Sequence, residues 1–339
     1  MKTGAGKTGN GTKAFHQYVM TTMEKETPRL NAAHIKAEAL RLGFSACGMA
    51  PAAPVGPAHA AFFRQWLAGG RQAGMDYMAR HEALRLDPAL LAEGCRTVVS
   101  VALNYRPATE MPADRLQLAW YAYGQDYHDI MRQKLHQLLE SLQQDWPEGM
   151  LDGRACCDTA PVLERYWAWR CGLGWIGKHT QLVAPRAGSA FFLGEIFLNQ
   201  PADRYDTPLS NHCGNCTRCV DACPTHALTP GEGLDARRCL SYLTIENRGP
   251  IPPEAAACMA PYLYGCDRCL RACPHLNGAL PTRETAFAPR PELLEMTADD
   301  WMKLDVEQYR RLFKGSAVKR AKFEGLTRNL AALAKGRQD

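Results

Sequence analysis

The sequence predicts an α/β (α+β) domain over residues 28–206, a cysteine-rich module over 207–280 and a short α-helical region over 281–339, behind a loose tail at 1–27. Three observations carry this division. Helix-like and strand-like segments alternate through the first part, as in mixed layered folds. Two cysteine runs then fall within a stretch short on long elements. After Pro281 the apolar spacing becomes helical throughout.

In chain order, a helical pattern starts at Pro28 and stops at Gly43, with a short strand over 44–49 after it. Helices are expected over 60–67 and 75–83. Thr97-Val-Val-Ser-Val-Ala-Leu103 is an apolar, β-branched run and predicts a buried strand. The spacing predicts helices over 117–123 and 128–142, and a strand over 154–158. Pro161 stands where proline favours a helix start, so a helix is expected over 162–171. Strands are expected at 180–184 and 190–198. Beyond the cysteine module, helices are predicted over 291–294, 298–304, 306–312 and 317–333.

The 339 residues are 46% hydrophobic and 22% charged, ordinary for a globular chain, with a formal charge of only +5. No apolar run approaches the roughly 20 residues of a membrane span. The N-terminal MKTGAGKTGNGTK is basic without an apolar stretch, unlike a secretory signal. GAGKTG at 4–9 has the end of a phosphate loop but neither its first glycine nor a preceding strand. The fourteen cysteines cluster at metal-ligand spacing, which argues for a reducing, cytoplasmic setting rather than a disulfide framework.

The first run is Cys213-x2-Cys216-x2-Cys219-x3-Cys223-Pro224, the spacing that ligates a [4Fe–4S] cluster, with the fourth cysteine crossing to a second cluster. The second run is incomplete: Cys266, Cys269 and Cys273 align with positions two to four, and Leu263 takes position one. With crossover, Cys213, Cys216, Cys219 and Cys273 hold one cluster. Cys223, Cys266 and Cys269 need a remote fourth ligand, for which Cys239 and Cys258 both qualify. Structural zinc is the competing reading, but it favours two separated C-x2-C pairs.

Asp158 is expected where a strand meets a helix, either as a general acid beside a cofactor, protonated through partial burial, or as a helix cap. Gly172-Leu-Gly174-Trp-Ile-Gly177 matches G-x-G-x-x-G, yet it follows a predicted helix, which is wrong for a dinucleotide site. Its glycines, and those at 188 and 194, predict close approach of backbone to some other flat cofactor. Between Gln308 and Arg337 nine Lys or Arg face one acid, Glu324. A basic helical face of this kind suits phosphate contacts.

Longer strings now resemble a known family. DTAPVLER at 158–165, GLGWIGKHT at 172–180, FFLGEI at 191–196, SYLTIENRGPIP at 241–252, GCDRCLRACP at 265–274 and GSAVKRAKFEGLTRN at 315–329 are similar to epoxyqueuosine reductases, as are GMDYMARH at 74–81 and GQDYH at 124–128. The resemblance covers about residues 28–335. It implies reduction of epoxyqueuosine to queuosine at the tRNA wobble position, the last step of that modification. It implies a cobalamin-binding domain similar to that of reductive dehalogenases, a two-cluster bacterial ferredoxin-like domain and a HEAT-like helical end. It assigns Asp158 as proton donor and Cys239 as the remote ligand. Cobalamin contacts are implied at Arg85, Asp158, Arg165, Trp175, Lys178, Thr180, Gln181, Leu182, Leu193 and Gly194. tRNA contacts are implied at Arg310, Arg311, Lys314, Lys319, Arg320, Lys322 and Arg328. An external electron donor and a monomeric state complete the expectation. The D-x-H-x-x-G signature of cobalamin mutases is absent, since Asp126-Tyr-His128 is followed by Met131, so no histidine ligand to cobalt is indicated. Longer members of the family continue into more helical repeats, so the end at Asp339 bears on tRNA affinity rather than on chemistry.

Two other functions compete. An iron–sulfur electron carrier leaves the N-terminal domain without a role. A reductase of small molecules, like the dehalogenases, leaves the basic C-terminal face without one.

Overall fold

The structure is a computed structural model that describes Met1 and residues 28–336. The rest of the expected tail, with GAGKTG at 4–9, lies outside the described residues, as does Arg337.

Helix α1 (Ala32–Arg41) is capped by Asn31 and ends before Gly43, whose φ is +91°. Then follow β1 (Ala46–Pro51), α2 (Pro57–Ala68), α3 (Glu82–Leu86), α4 (Pro88–Leu91), β2 (Thr97–Asn104) and β3 (Gln117–Leu118). Helix α5 (Tyr127–Gln144) buries Met131, Leu135, Leu138 and Leu142 at the three-to-four spacing of one helix face. Next come β4 (Gly153–Cys156), α6 (Glu164–Arg170), β5 (Trp175–Ile176), β6 (Leu182–Val183) and β7 (Phe191–Leu198). The cysteine module holds α7 (Arg218–Asp221), β8 (Leu228–Thr229), β9 (Gly233–Leu234), α8 (Leu240–Ile245), α9 (Pro253–Met259), β10 (Tyr262–Tyr264) and α10 (Arg268–Arg271). Helices α11 (Pro291–Glu295), α12 (Ala298–Met302), α13 (Val306–Leu312) and α14 (Lys322–Lys335) follow.

The main sheet has the order β1-β2-β7-β4 and every pair is antiparallel. The mixed first domain is therefore α+β. Strand β2 is covered on both faces, which explains its nearly unbroken apolar run. Val99 and Val101 pack with Ile35, Met131 and Leu135 under α1 and α5. Val98 and Ala102 pack with Phe63, Trp167 and Phe197 under α2 and α6. Period-two alternation thus assigns Ser100 on β2 and Glu195 on β7 to the α6 side.

Four helix expectations differ from the structure. Residues 117–123 form β3 and a short 3-10 turn, because β3 pairs in parallel with β10 and Asp267 accepts from the Trp120 N–H at 2.7 Å. That pairing places Leu116, Trp120 and Tyr123 in one core with Leu243, Leu263 and Trp301. Residues 75–83 are broken because His81 is left-handed, with φ +60°. Helix α6 starts at Glu164 rather than behind Pro161. The 317–333 helix is likewise interrupted at Lys322, φ +62°, where a 3-10 turn gives way to α14.

Candidate active site and cluster cysteines

Asp158 lies two residues past the end of β4, in left-handed backbone at φ +56°. Such a conformation is uncommon for a residue with a side chain and gathers at functional sites. Asp158 is not the α6 cap, since Leu163 occupies that position. Its side chain is 55% exposed. The Tyr127 hydroxyl donates to Oδ2, and His128 Nε2 stands 3.3 Å from the same oxygen. His128 Nδ1 is in turn 2.7 Å from Asp126 Oδ1. Asp126 caps α5 by accepting from the His128 N–H, so the helix start orients the whole group.

The surrounding protein works against charge on Asp158, but the hydrogen bonds from His128 and Tyr127 outweigh it and hold the carboxyl below its usual range. This departs from the expectation of a protonated Asp158. Burial opposes charge on His128, yet Asp126 and Asp158 raise it to about 9. Burial pushes the Tyr127 hydroxyl well up, assisted by the Asp158 charge. Burial and then Asp158 push Glu164 up to about 8. Glu164 Oε1 accepts from the Asp158 backbone N–H at 2.5 Å. Tyr127 and Glu164 were not singled out from sequence, and His128 was weighed there only as a cobalt ligand. The available signal was their position in the GQDYH and DTAPVLER strings.

Arg165 donates to the Thr180 carbonyl at 3.2 Å. Thr180 is itself left-handed, φ +65°. Arg85 is 8% exposed and spends one nitrogen on the Tyr77 carbonyl at 2.8 Å. Thr180 Oγ1 and Arg85 Nε are both buried without a hydrogen-bond partner. Orphaned polar atoms of this kind, both on residues expected to touch cobalamin, fit a polar cofactor edge that would complete them.

Other expected cobalamin contacts have different partners. Trp175 is 1% exposed, packs with Val183 and Cys273, and donates its indole N–H to Cys213 Sγ at 3.5 Å. Lys178 Nζ donates to the carbonyls of Gly214 and Cys216 at 2.7 and 2.9 Å. Both serve the first cysteine loop. A Cβ on Gly194 would meet Met131 and Leu135 of α5 at 2.9 Å. A Cβ on Gly174 would meet the Val183 carbonyl at 2.2 Å, and one on Gly188 would meet Leu276 at 2.9 Å. These glycines are held tight against protein neighbours. Leu182 is buried on β6, Leu193 lies partly buried on β7 towards α6, and half-buried Gln181 donates its N–H to His179 Nδ1 at 3.1 Å.

The cluster cysteines fall into two neighbourhoods. Burial acts first on the thiols of Cys219, Cys239, Cys269 and Cys273, and neighbouring cysteines contribute after it. Cys219 feels Cys213 and Cys273, and Cys273 feels Cys213 and Cys216. Cys239 feels Cys223, and Cys269 feels Cys239, Cys266 and Cys223. Among the described residues no three such ligands converge tightly enough for a single ion. The donor set, four thiols in each of two groups, fits four-iron clusters. Leu263, in the place of the missing ligand, is a core residue with 0% exposure. The Cys258 thiol bonds back to the carbonyls of Glu254 and Ala255 in its own helix.

At the C-terminal end Arg310, Arg311, Lys314, Lys319 and Lys322 are exposed and make no ion pair among the described residues. Arg320 instead forms a bidentate pair with Glu246, at 2.7 and 2.8 Å. Arg328 is spent on the carbonyls of Leu243, Asn247 and Gly249. Arg320 and Arg328 thus also pin the chain internally.

Comparison with known proteins points to one family. The family model for epoxyqueuosine reductase QueG, DUF1730, matches residues 85–159, and that for a 4Fe-4S double cluster binding domain matches 212–276. The chain is 40% identical over 311 residues to an epoxyqueuosine reductase of Cellulophaga algicola, covering 92% of this chain and 99% of that one. It is 42% identical over 297 residues to that of Leadbetterella byssophila, covering 88% and 96%. A crystal structure of epoxyqueuosine reductase with an epoxyqueuosine-modified tRNA-Tyr stem loop superimposes with a TM-score of 0.82 at 26% identity, over 91% of this chain and 81% of that one. With a double cluster module, an aspartate poised at a strand end and these relatives spanning most of its length, the chain belongs to the epoxyqueuosine reductase family.

Proposed function

We propose that this protein reduces epoxyqueuosine to queuosine at the wobble position of tRNA, with Asp158 as the group that delivers a proton to the epoxide oxygen. The observation that carries this reading is the grip of Tyr127 and His128 on an exposed Asp158 carboxylate within a chain of this family. When bound, cobalamin reduced through two [4Fe–4S] clusters supplies the two electrons, drawn from an external donor. The reaction breaks both C–O bonds of the epoxide, forms a C=C bond and releases the oxygen as water, so it consumes two protons. Asp158 holds the oxygen end of this exchange. His128, raised to about 9, stands 3.3 Å from Asp158 Oδ2 and steadies its charge. Tyr127 fixes the carboxylate by hydrogen bond and by stacking on Phe192, with ring centroids 4.1 Å apart and 3° between planes. Arg85, Arg165 and Thr180 line the cofactor side.

Cys213, Cys216, Cys219 and Cys273 hold one cluster; Cys223, Cys239, Cys266 and Cys269 hold the other. Arg310, Arg311, Lys314, Lys319 and Lys322 make the phosphate contacts, which favours tRNA over a small molecule. The protein acts as a cytoplasmic monomer. No described helix is long and apolar enough to cross a membrane. The test is anaerobic reconstitution with iron, sulfide and cobalamin, followed by assay on tRNA bearing epoxyqueuosine. Queuosine is expected. Absence of product with both cofactors loaded refutes the proposal.

A further inference from the structure

His179 belongs to the loop 177–181 between β5 and β6, and it is only 2% exposed. The Gln181 N–H donates to its Nδ1 at 3.1 Å. An acceptor at Nδ1 needs a lone pair there, so the ring is neutral and carries its proton on Nε2. That nitrogen stands 3.3 Å from Ser189 Oγ, just before β7. Burial, and then the Arg165 charge, hold the imidazole down at about 4, in keeping with this tautomer. The fit is close: a Cβ on Gly177 would meet His179 Cε1 at 3.1 Å. Around the ring the loop closes on itself. Gly177 donates its N–H to the Gln181 carbonyl at 2.9 Å, and Thr180 donates its own to the Gly177 carbonyl at 2.8 Å.

We propose that His179 is a positioning residue for cobalamin, holding Thr180 and Gln181 in the conformation that receives the cofactor. The inference rests on cobalamin as the cofactor of this site and not on the tRNA reaction. Three consecutive side chains of the loop divide the work. Lys178 bonds the first cysteine loop through the Gly214 and Cys216 carbonyls. His179 is fastened inward, with one ring nitrogen on Gln181 and the other on Ser189. Thr180 keeps an unspent hydroxyl and takes left-handed backbone, φ +65°. Such backbone is strained at a threonine and persists only where its surroundings over-determine it. His179 supplies that constraint by tying the residue after Thr180 to the start of β7. Without the ring acceptor the Gln181 N–H loses its partner, and Thr180 is free to leave its strained turn. The imidazole therefore acts through its neighbours, as the supporting residues of metal and cofactor sites do.

The test is the cobalamin affinity of the cluster-loaded protein, read from visible absorption during titration with cobalamin. His179→Phe fills the space without an acceptor, and affinity should fall about 10-fold or more. His179→Asn offers an amide oxygen where Nδ1 stood and should bind nearly as tightly as the wild type. Thr180→Val removes the hydroxyl at equal shape and should weaken binding. The double variant H179F/T180V should be no weaker than the weaker single one, because both changes act on one contact. Iron per chain should stay at the wild-type level throughout. An H179F protein with wild-type affinity, equal losses in H179F and H179N, or single losses that add in the double variant each overturn the proposal. So does loss of iron together with cobalamin, since His179 would then hold the whole hairpin. A wild type that binds no cobalamin overturns the cofactor reading itself, whereas the variant results bear on His179 alone and need no turnover.

Discussion

His128 Nε2 stands 3.3 Å from Asp158 Oδ2, while its other ring nitrogen is 2.7 Å from Asp126. The imidazole therefore bridges two carboxylates, and the charge of the site is shared between a helix start and a strand end.

That bridge makes stability depend on pH. His128 is raised from 6.5 to about 9, so its contribution is complete below pH about 6.5 and is lost as pH rises through about 9. Denaturant unfolding of the wild type should weaken across that window by on the order of 2–3 kcal/mol. His128→Asn should flatten the dependence. An H128N protein with the wild-type slope refutes the bridge.

Asp158→Asn should lower kcat about 10²–10⁴-fold on epoxyqueuosine-tRNA, the range for removal of a general acid. Iron content and cobalamin binding should be unchanged. Normal turnover in this variant removes Asp158 from its role.

Cys239→Ser should cut the iron bound per chain from about eight to about four, and Cys258→Ser should leave it unchanged. Iron analysis with low-temperature EPR of the reduced protein distinguishes the two. The opposite pattern would move the ligand to Cys258.

Replacing Arg310, Arg311 and Lys314 together by alanine should weaken tRNA binding and reduce the slope of log K against log salt by about two to three. Anisotropy titrations at several salt concentrations read this directly. Arg328→Ala should instead lower stability by on the order of 3 kcal/mol, because three carbonyls lose a charged donor. A large salt-slope change in R328A would return that residue to the RNA surface.

Trp175→Phe should make the potential of one cluster more negative, since an N–H donor to thiolate sulfur favours the reduced form. Redox titration followed by EPR is the measurement. An unchanged potential argues that the indole only packs.

Several of these features were legible before the structure. The β-branched run of β2 predicted a strand covered on both faces, and cysteine spacing predicted both thiol groups and the gap at Leu263. Partner-dependent features were not legible. Gln117 and Leu118 are a strand only because β10 lies beside them. The glycines at 174, 188 and 194 lie tight against Val183, Leu276 and α5, contacts that their spacing does not give. Glu195 was visible as one acid in FFLGEIFL, yet only the sheet shows that its neighbours are Ser100 and Cys156 rather than water.

Cys239 also stands at the N-cap of α8, and the end of that helix holds the pins that fix α14: the Thr244 carbonyl accepts from Asn329, and the Leu243 carbonyl from Arg328. With Cys239 as the proposed remote ligand, α8 would be a mechanical fastener between the redox module and the helices that carry the basic face. Oxygen damage at that cluster should then be felt as lost grip on RNA as well as lost current. Faster hydrogen exchange in α14 after iron removal is the signature, and unchanged exchange there would separate the two.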